Sequence, residues 1–236
     1  MKILSLECSA GPASAAVIQD GVIIASAFLN RKITHSQTLL TMVEDVLHRS
    51  ALTVDELDGI AVSSGPGSFT GIRIGISAVK GLAAAHRIAC VGVSTLRGMA
   101  ENLRGENGLV CAVMDARCNQ VYNALFSSQN GELTRLCEDR ALSFDELIFS
   151  LKEQNPDTPV ILVGDGAELF YNYAAEQLPL RLANEQLRFQ NACGVGLAAL
   201  EDFKNNNTQS ALELLPCYLR LPQAERELKK KRGEEQ

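Results

Sequence analysis

The stretch from Ser63 to Arg87, SSGPGSFTGIRIGISAVKGLAAAHR, decides how the rest of the chain is to be read. Gly65, Gly67 and Gly71 fall within seven positions, and an apolar run rich in Gly and Ala follows them. An apolar strand, Ile60 to Ser63, precedes the loop, and helical spacing predicts a helix from about Phe69 to His86, so the glycines mark a strand-to-helix junction. Such a junction can cradle a phosphate, because N–H groups converge at a helix N-terminus and glycine lets the backbone come close. The spacing fits neither nucleotide fingerprint: the third Gly of GxGxxG would fall on Thr70, and no Lys-Ser/Thr pair follows Gly71. A tight turn, with Pro66 fixing one dihedral and Gly67 supplying a positive one, accounts for the loop equally well.

The helix after the loop says more. Gly71, Gly75, Ala78, Leu82 and Ala85 share one face, and Ile72, Ile76, Val79 and Ala83 line the next, leaving Arg73, Ser77 and Lys80 as a narrow polar strip. A helix apolar most of the way round is covered on two sides. Each interior Gly costs about 1 kcal/mol relative to Ala, so a close contact should compensate. One cover is the sheet; the other is a neighbouring helix or a second chain.

The totals agree with a globular protein. The 236 residues are 46% hydrophobic and 21% charged, enough for one large or two modest domains with a real core. A net charge of -6 and a pI near 5.2 provide no overall field for nucleic acid. The opening MKILSLECSA is neither a secretory signal nor a transit peptide, and no apolar run approaches the ~18 residues of a membrane span. Seven cysteines without a CxxC pair read as core residues in a reducing compartment, so the cytoplasm is expected.

Along the chain, strands at Ile3 to Leu6, Ala15 to Gln19 and Val22 to Phe28 form a meander with a turn at Asp20-Gly21. Thr34 and Gln37 have capping-box spacing before a helix to Arg49. After the glycine loop and its helix come a strand at Ile88 to Val93 and a helix capped by Ser94 or Thr95. Beyond Arg104 to Gly108 the plan restarts: strands at Leu109 to Met114, Gln120 to Phe126 and Glu132 to Cys137, a turn at Asn130-Gly131, a helix from Ser143 to Lys152, and a strand at Val160 to Val163. Gly164-Asp165-Gly166 opens a further helix, and Cys193 to Asp202 is helical in period. Leu6-Glu7 faces Met114-Asp115 in this alignment, which suggests internal duplication.

GPGSFTGIRIG, followed by KGLA and GVSTL, resembles the TsaB (YeaZ) family, the bacterial subunit needed to make threonylcarbamoyladenosine in tRNA. HSQTLL, MDAR then VY, GDG at 164 to 166, and YLR with AE extend the resemblance over nearly the whole chain. It implies an α/β, two-lobed fold of the actin, hexokinase and Hsp70 kind (ASKHA), each lobe a five-stranded mixed sheet with helices and the second lobe abbreviated. Residues 1–105 would form the first lobe and 106–223 the second, with 224–236 a charged, disordered tail.

The resemblance also bears on chemistry. The catalytic paralogue TsaD holds a metal through two His of a GVNHLEGH-like stretch, which falls here on Gly92 to Met99, so the ligand positions are Thr95 and Met99. A hydroxyl and a thioether cannot replace two imidazoles, so that metal site is lost. His35, His48 and His86 do not restore it. Related ATPases keep an Asp at the end of the first strand; this chain has Glu7, with Asp115 at the matching place in the second lobe. Glu7, Ser9, Gly65, Gly67, Ser68 and Asp115 are therefore a candidate weak anion or nucleotide site, where Mg2+ could bind through water; no cofactor is required and no turnover is expected. The chain contains no HExxH and no GxSxG.

In the implied strand order 3-2-1-4-5, right-handed crossovers put the helices from Thr34 and from Phe69 on one face of the first sheet. The outer side of that layer should stay open for a partner, with Leu39, Met42, Val43, Val46, Gly71, Ile74, Gly75, Ala78 and Leu82 as candidate contacts. The resemblance implies a heterodimer with TsaD, the TsaE ATPase in a larger complex, tRNA reached indirectly, a homodimer when alone, and no membrane. The alternatives are an ASKHA-type ATPase or kinase acting on a small molecule, and a stand-alone homodimeric binding protein.

Overall fold

The structure, a computed structural model, describes residues 1–31, 33–154 and 159–220. The expected tail, 224–236, lies outside the described residues. Three strands, β1 (Lys2–Glu7), β2 (Ala13–Gln19) and β3 (Val22–Leu29), make the meander, with Asp20 and Gly21 at φ 52° and 84° closing its second turn. Helix α1 (His35–Arg49), strand β4 (Gly59–Gly65), helix α2 (Phe69–His86) and strand β5 (Ala89–Ser94) follow. The sheet runs β3-β2-β1-β4-β5, antiparallel from β1 to β3 and parallel from β1 to β5.

Alternation along β1 sorts its side chains between two layers. Leu4, Leu6 and Cys8 pack with Leu39, Val43 and Val46 of α1 and Ile72, Ile76 and Val79 of α2, so both helices cover one face, as the crossover rule requires. The capping box expected at Thr34 is not formed: only the Thr34 carbonyl accepts from Gln37 N, at 2.9 Å. His35 Nε2 pairs with the Ala10 carbonyl at 2.8 Å and ties the start of α1 to the β1–β2 loop. At α2, Ser68 Oγ accepts from Gly71 N, and Arg87 ends the helix in the left-handed conformation.

A second sheet repeats the order. After α3 (Thr95–Glu101) come β6 (Gly108–Asp115), β7 (Gln120–Gln129), β8 (Glu132–Arg135), β9 (Arg140–Ser143), α4 (Phe144–Gln154), β10 (Val160–Val163), α5 (Ala167–Ala174), β11 (Leu180–Leu182), α6 (Glu185–Arg188) and α7 (Ala192–Lys204). The order β8-β7-β6-β10-β11 matches the first sheet strand for strand, and Asn130 and Gly131 repeat the turn at φ 53° and 82°. Among the described residues this sheet has six strands rather than the expected five: the ten-residue β7 pairs β9 along its first half and β8 along its second.

Packing does not follow the 105/106 boundary. Helix α3, from the first half of the chain, lays Leu96 and Met99, with Leu103 just beyond its end, against Val110, Ala112 and Ile161 of the second sheet. Helix α7, from the second half, lays Val195, Ala198 and Phe203 against Ile3, Ala61 and Val91 of the first. The two helices cross between the sheets so closely that a Cβ on Gly194 would strike the Gly98 carbonyl. Residues 209–220 then return to the first lobe, starting with a two-bond bridge between Gln209 and Cys90. Among the described residues, the packing of α3 and α7 therefore crosses the expected boundary in both directions.

Candidate functional site

Two hollows meet at the N-terminus of α2. One is the groove between α1 and α2, about 740 Å³, walled by His35, Leu40, Phe69, Arg73, Ile74 and Ala78. Leu40 is 54% exposed there, and Ile74 and Ala78 are half-buried. The structure corrects part of the expected contact set. Leu39, Val43 and Val46 are 3% exposed or less and pack toward the sheet, although Leu39 also lines the floor of the groove. Gly71 and Gly75 also face inward: a Cβ on Gly71 would strike the Cys8 carbonyl, and one on Gly75 would lie 2.9 Å from Cys8 Sγ. The glycine stripe lets α2 lie close against the end of β1. Of the expected contacts, Met42, Ile74, Ala78 and Leu82 keep exposed surface, and Leu40, which the sequence reading left out, projects furthest.

The other hollow is the cleft between the lobes, about 560 Å³, lined by Ser9, Gly67 and Phe69 from the first lobe, Asp115 and Asp165 from the second, and Tyr218 from the returning segment. The glycine loop forms its floor by close packing. Gly67 lies where a Cβ would meet the Ser9 carbonyl, and Gly65, at φ 134°, lies against the Cys217 carbonyl. Two donors that an anion would use are already bonded, Ser68 N to the Ser9 carbonyl at 2.6 Å and Gly71 N to Ser68 Oγ at 3.3 Å.

Asp115 and Asp165 line the cleft, and Glu7 is buried outside its lining. Glu7 is 1% exposed, and burial pushes its carboxyl up from the usual range although the Ser9 amide donates to it at 2.5 Å. Asp165 is exposed as a residue, but the atoms packed round its carboxyl push it up to about 6, against the lowering hydrogen bond from Gln190 Nε2 at 2.6 Å; nearby Asp115 adds to the rise. Asp115 itself is exposed and accepts from Arg117 N at 2.7 Å. Among the described residues no three His, Cys, Asp or Glu side chains are grouped to hold a metal. Thr95 and Met99 are 0% and 1% exposed, Met99 inside the core beneath α3. Of the site residues that sequence reading does not single out, GDG contains Asp165 and YLR contains Tyr218, while no motif touches Gln190.

The match to known proteins runs the length of this architecture. The family model described as TsaD, tRNA N6-adenosine threonylcarbamoyltransferase, matches residues 23–226. The TsaB protein of Bacillus subtilis is 31% identical over 95% of this chain and 96% of its own. The chain belongs to the TsaB family. A TsaB protein of Escherichia coli is 30% identical over 93% of this chain and 95% of its own. The solved structure of YeaZ from Pseudomonas aeruginosa superposes with a TM-score of 0.74 at 27% identity, covering 92% of this chain and 99% of that one. The TsaB relatives are named tRNA threonylcarbamoyladenosine biosynthesis proteins, and the fold is the two-lobed ASKHA fold. Among the described residues no helix is long and apolar enough to cross a membrane.

Proposed function

We propose that this chain is a non-catalytic subunit that binds the TsaD paralogue through the α1–α2 groove and supports threonylcarbamoyl transfer to the tRNA adenosine beside the anticodon. The observation that carries the proposal is the open apolar groove, with Leu40 projecting from α1 across Ile74 and Ala78 on α2, in a chain of the TsaB family. An exposed large apolar side chain beside an open apolar groove is the form of a helix-packing contact waiting for a second layer. Burial of Thr95 and Met99 where the paralogue carries metal ligands supports a role without its own metal chemistry. TsaE would join the pair in a larger complex, tRNA would be reached through TsaD, and two copies would pair through the same groove when TsaD is absent.

The test is calorimetric titration of TsaD into the chain. Leu40→Glu should weaken association at least about tenfold, the loss typical of a central contact, with unchanged thermal stability because Leu40 lies outside the core. Unchanged affinity would remove the groove from the reading, and tRNA modification by this chain alone would remove the reading itself.

A further inference from the structure

Residues 209–220 have no counterpart in the duplicated plan, and they run along the first lobe from the edge of its sheet to the cleft. Gln209 and Cys90 exchange two backbone bonds of 2.8 Å at the edge of the first sheet. Leu214 is fully buried in the core beneath α2. Cys217 N donates to the Ser64 carbonyl at 2.7 Å, just ahead of the glycine loop. Tyr218 then stacks on Phe69, ring centroids 4.7 Å apart, and accepts from Arg73 Nε at 2.8 Å; Arg73 in turn lies 3.8 Å over the Phe69 ring. Arg220 reaches over the cleft to the second lobe, its Nη1 donating to the Ala116 carbonyl at 3.2 Å.

The lobes are already joined between the sheets, where α3 and α7 cross at Gly98 and Gly194. A contact at the cleft mouth acts at the open end, away from that crossing, where a small rotation of one lobe produces the largest displacement. Phe69 belongs to both hollows: it walls the groove with Arg73 and lines the cleft with Tyr218. The geometry points to a clasp. Residues 209–220 hold the two lobes at a fixed aperture, and the Tyr218 latch sits on the Phe69–Arg73 wall of the groove, so that whatever moves that wall loosens the lobes. Its two states are latch docked and latch released, and any ligand that distinguishes them shifts the balance by its difference in affinity. The inference rests on contacts within one chain and stands whether or not TsaD occupies the groove.

The test is hydrogen exchange and small-angle X-ray scattering on the full chain with no partner. Removing the stack with Tyr218→Ala should speed exchange of the Cys217 amide about tenfold, the scale of one lost aromatic pair, and increase the radius of gyration. Arg73→Ala, made on the groove side, should speed the same amide by a smaller factor, while Arg220→Ala should increase the radius of gyration without affecting the Cys217 amide. Intact protection of β1 and β4 shows that each variant is folded; if Tyr218→Ala is not, Tyr218→Phe removes only the hydroxyl acceptor and should give a partial effect. Unchanged Cys217 exchange in the Tyr218 variants would overturn the latch. Faster exchange at constant radius of gyration would overturn the clasp, and an Arg73→Ala chain identical to wild type would overturn its link to the groove.

Discussion

At the scale of single residues, α2 shows how one residue type does opposite things a few positions apart. Gly71 is bare because the Cys8 carbonyl occupies the space a methyl would need, whereas Gly81, on the same helix, has nothing within 4 Å of its missing Cβ. Gly71→Ala should therefore cost about 2 kcal/mol, since overpacking against backbone outweighs the helix-propensity gain of about 1. Gly81→Ala should stabilise by about 0.5 to 1 kcal/mol. Urea unfolding of both variants checks the pair, and equal signs would contradict the inward placement of the stripe. Asp165 carries a pH signature. Its carboxyl is held at about 6 in the folded chain and lies near 4 when unfolded, so between those values the native state binds the extra proton. Stability should fall as pH rises from about 4 to about 6 and then level off. Asp165→Asn keeps an acceptor for Gln190 and should flatten that slope, read as urea midpoints across the range.

At the scale of elements, periodicity located what was long and regular. The helix from Phe69 to His86 is found over the expected residues, because strand, loop and cap all signal the same boundaries. The short pieces β9, β11 and α6, of four, three and four residues, were not legible, since they carry too few residues for a period and owe their form to a neighbour already in place. The inward turn of Gly71 and Gly75 was not legible either. A helical wheel groups residues by face, but a glycine stripe reads the same whether a strand or a foreign helix lies against it. The site carboxylates were half visible: Glu7 and Asp115 follow from the ends of matching strands, while Asp165 depends on how the loop after β10 meets Gln190. The returning segment was missed for a related reason. Leu212 is 86% exposed and Leu214 is fully buried, and nothing in so irregular a stretch predicts which leucine is swallowed.

At the scale of the whole molecule, duplication gives two sheets of one order, and the interlock of α3 and α7 makes them one body. Each half supplies the helix that covers the inner face of the other's sheet. A fragment of residues 1–105 would leave Ile3, Ala61, Val91 and Val93 in water, all 4% exposed or less in the full chain. It should give a poorly dispersed amide NMR spectrum and bind a hydrophobic dye, as collapsed states without fixed packing do. A well-dispersed, dye-silent fragment would show that the first sheet needs no roof from the second half.

The same exchange of helices sets a timetable during translation. The first sheet is threaded out of the ribosome about a hundred residues before α7, an interval of roughly 5 to 20 s at ordinary elongation rates. For that time the nascent polypeptide carries the strands of the first sheet with their inner apolar side uncovered, the condition under which chaperones earn their keep.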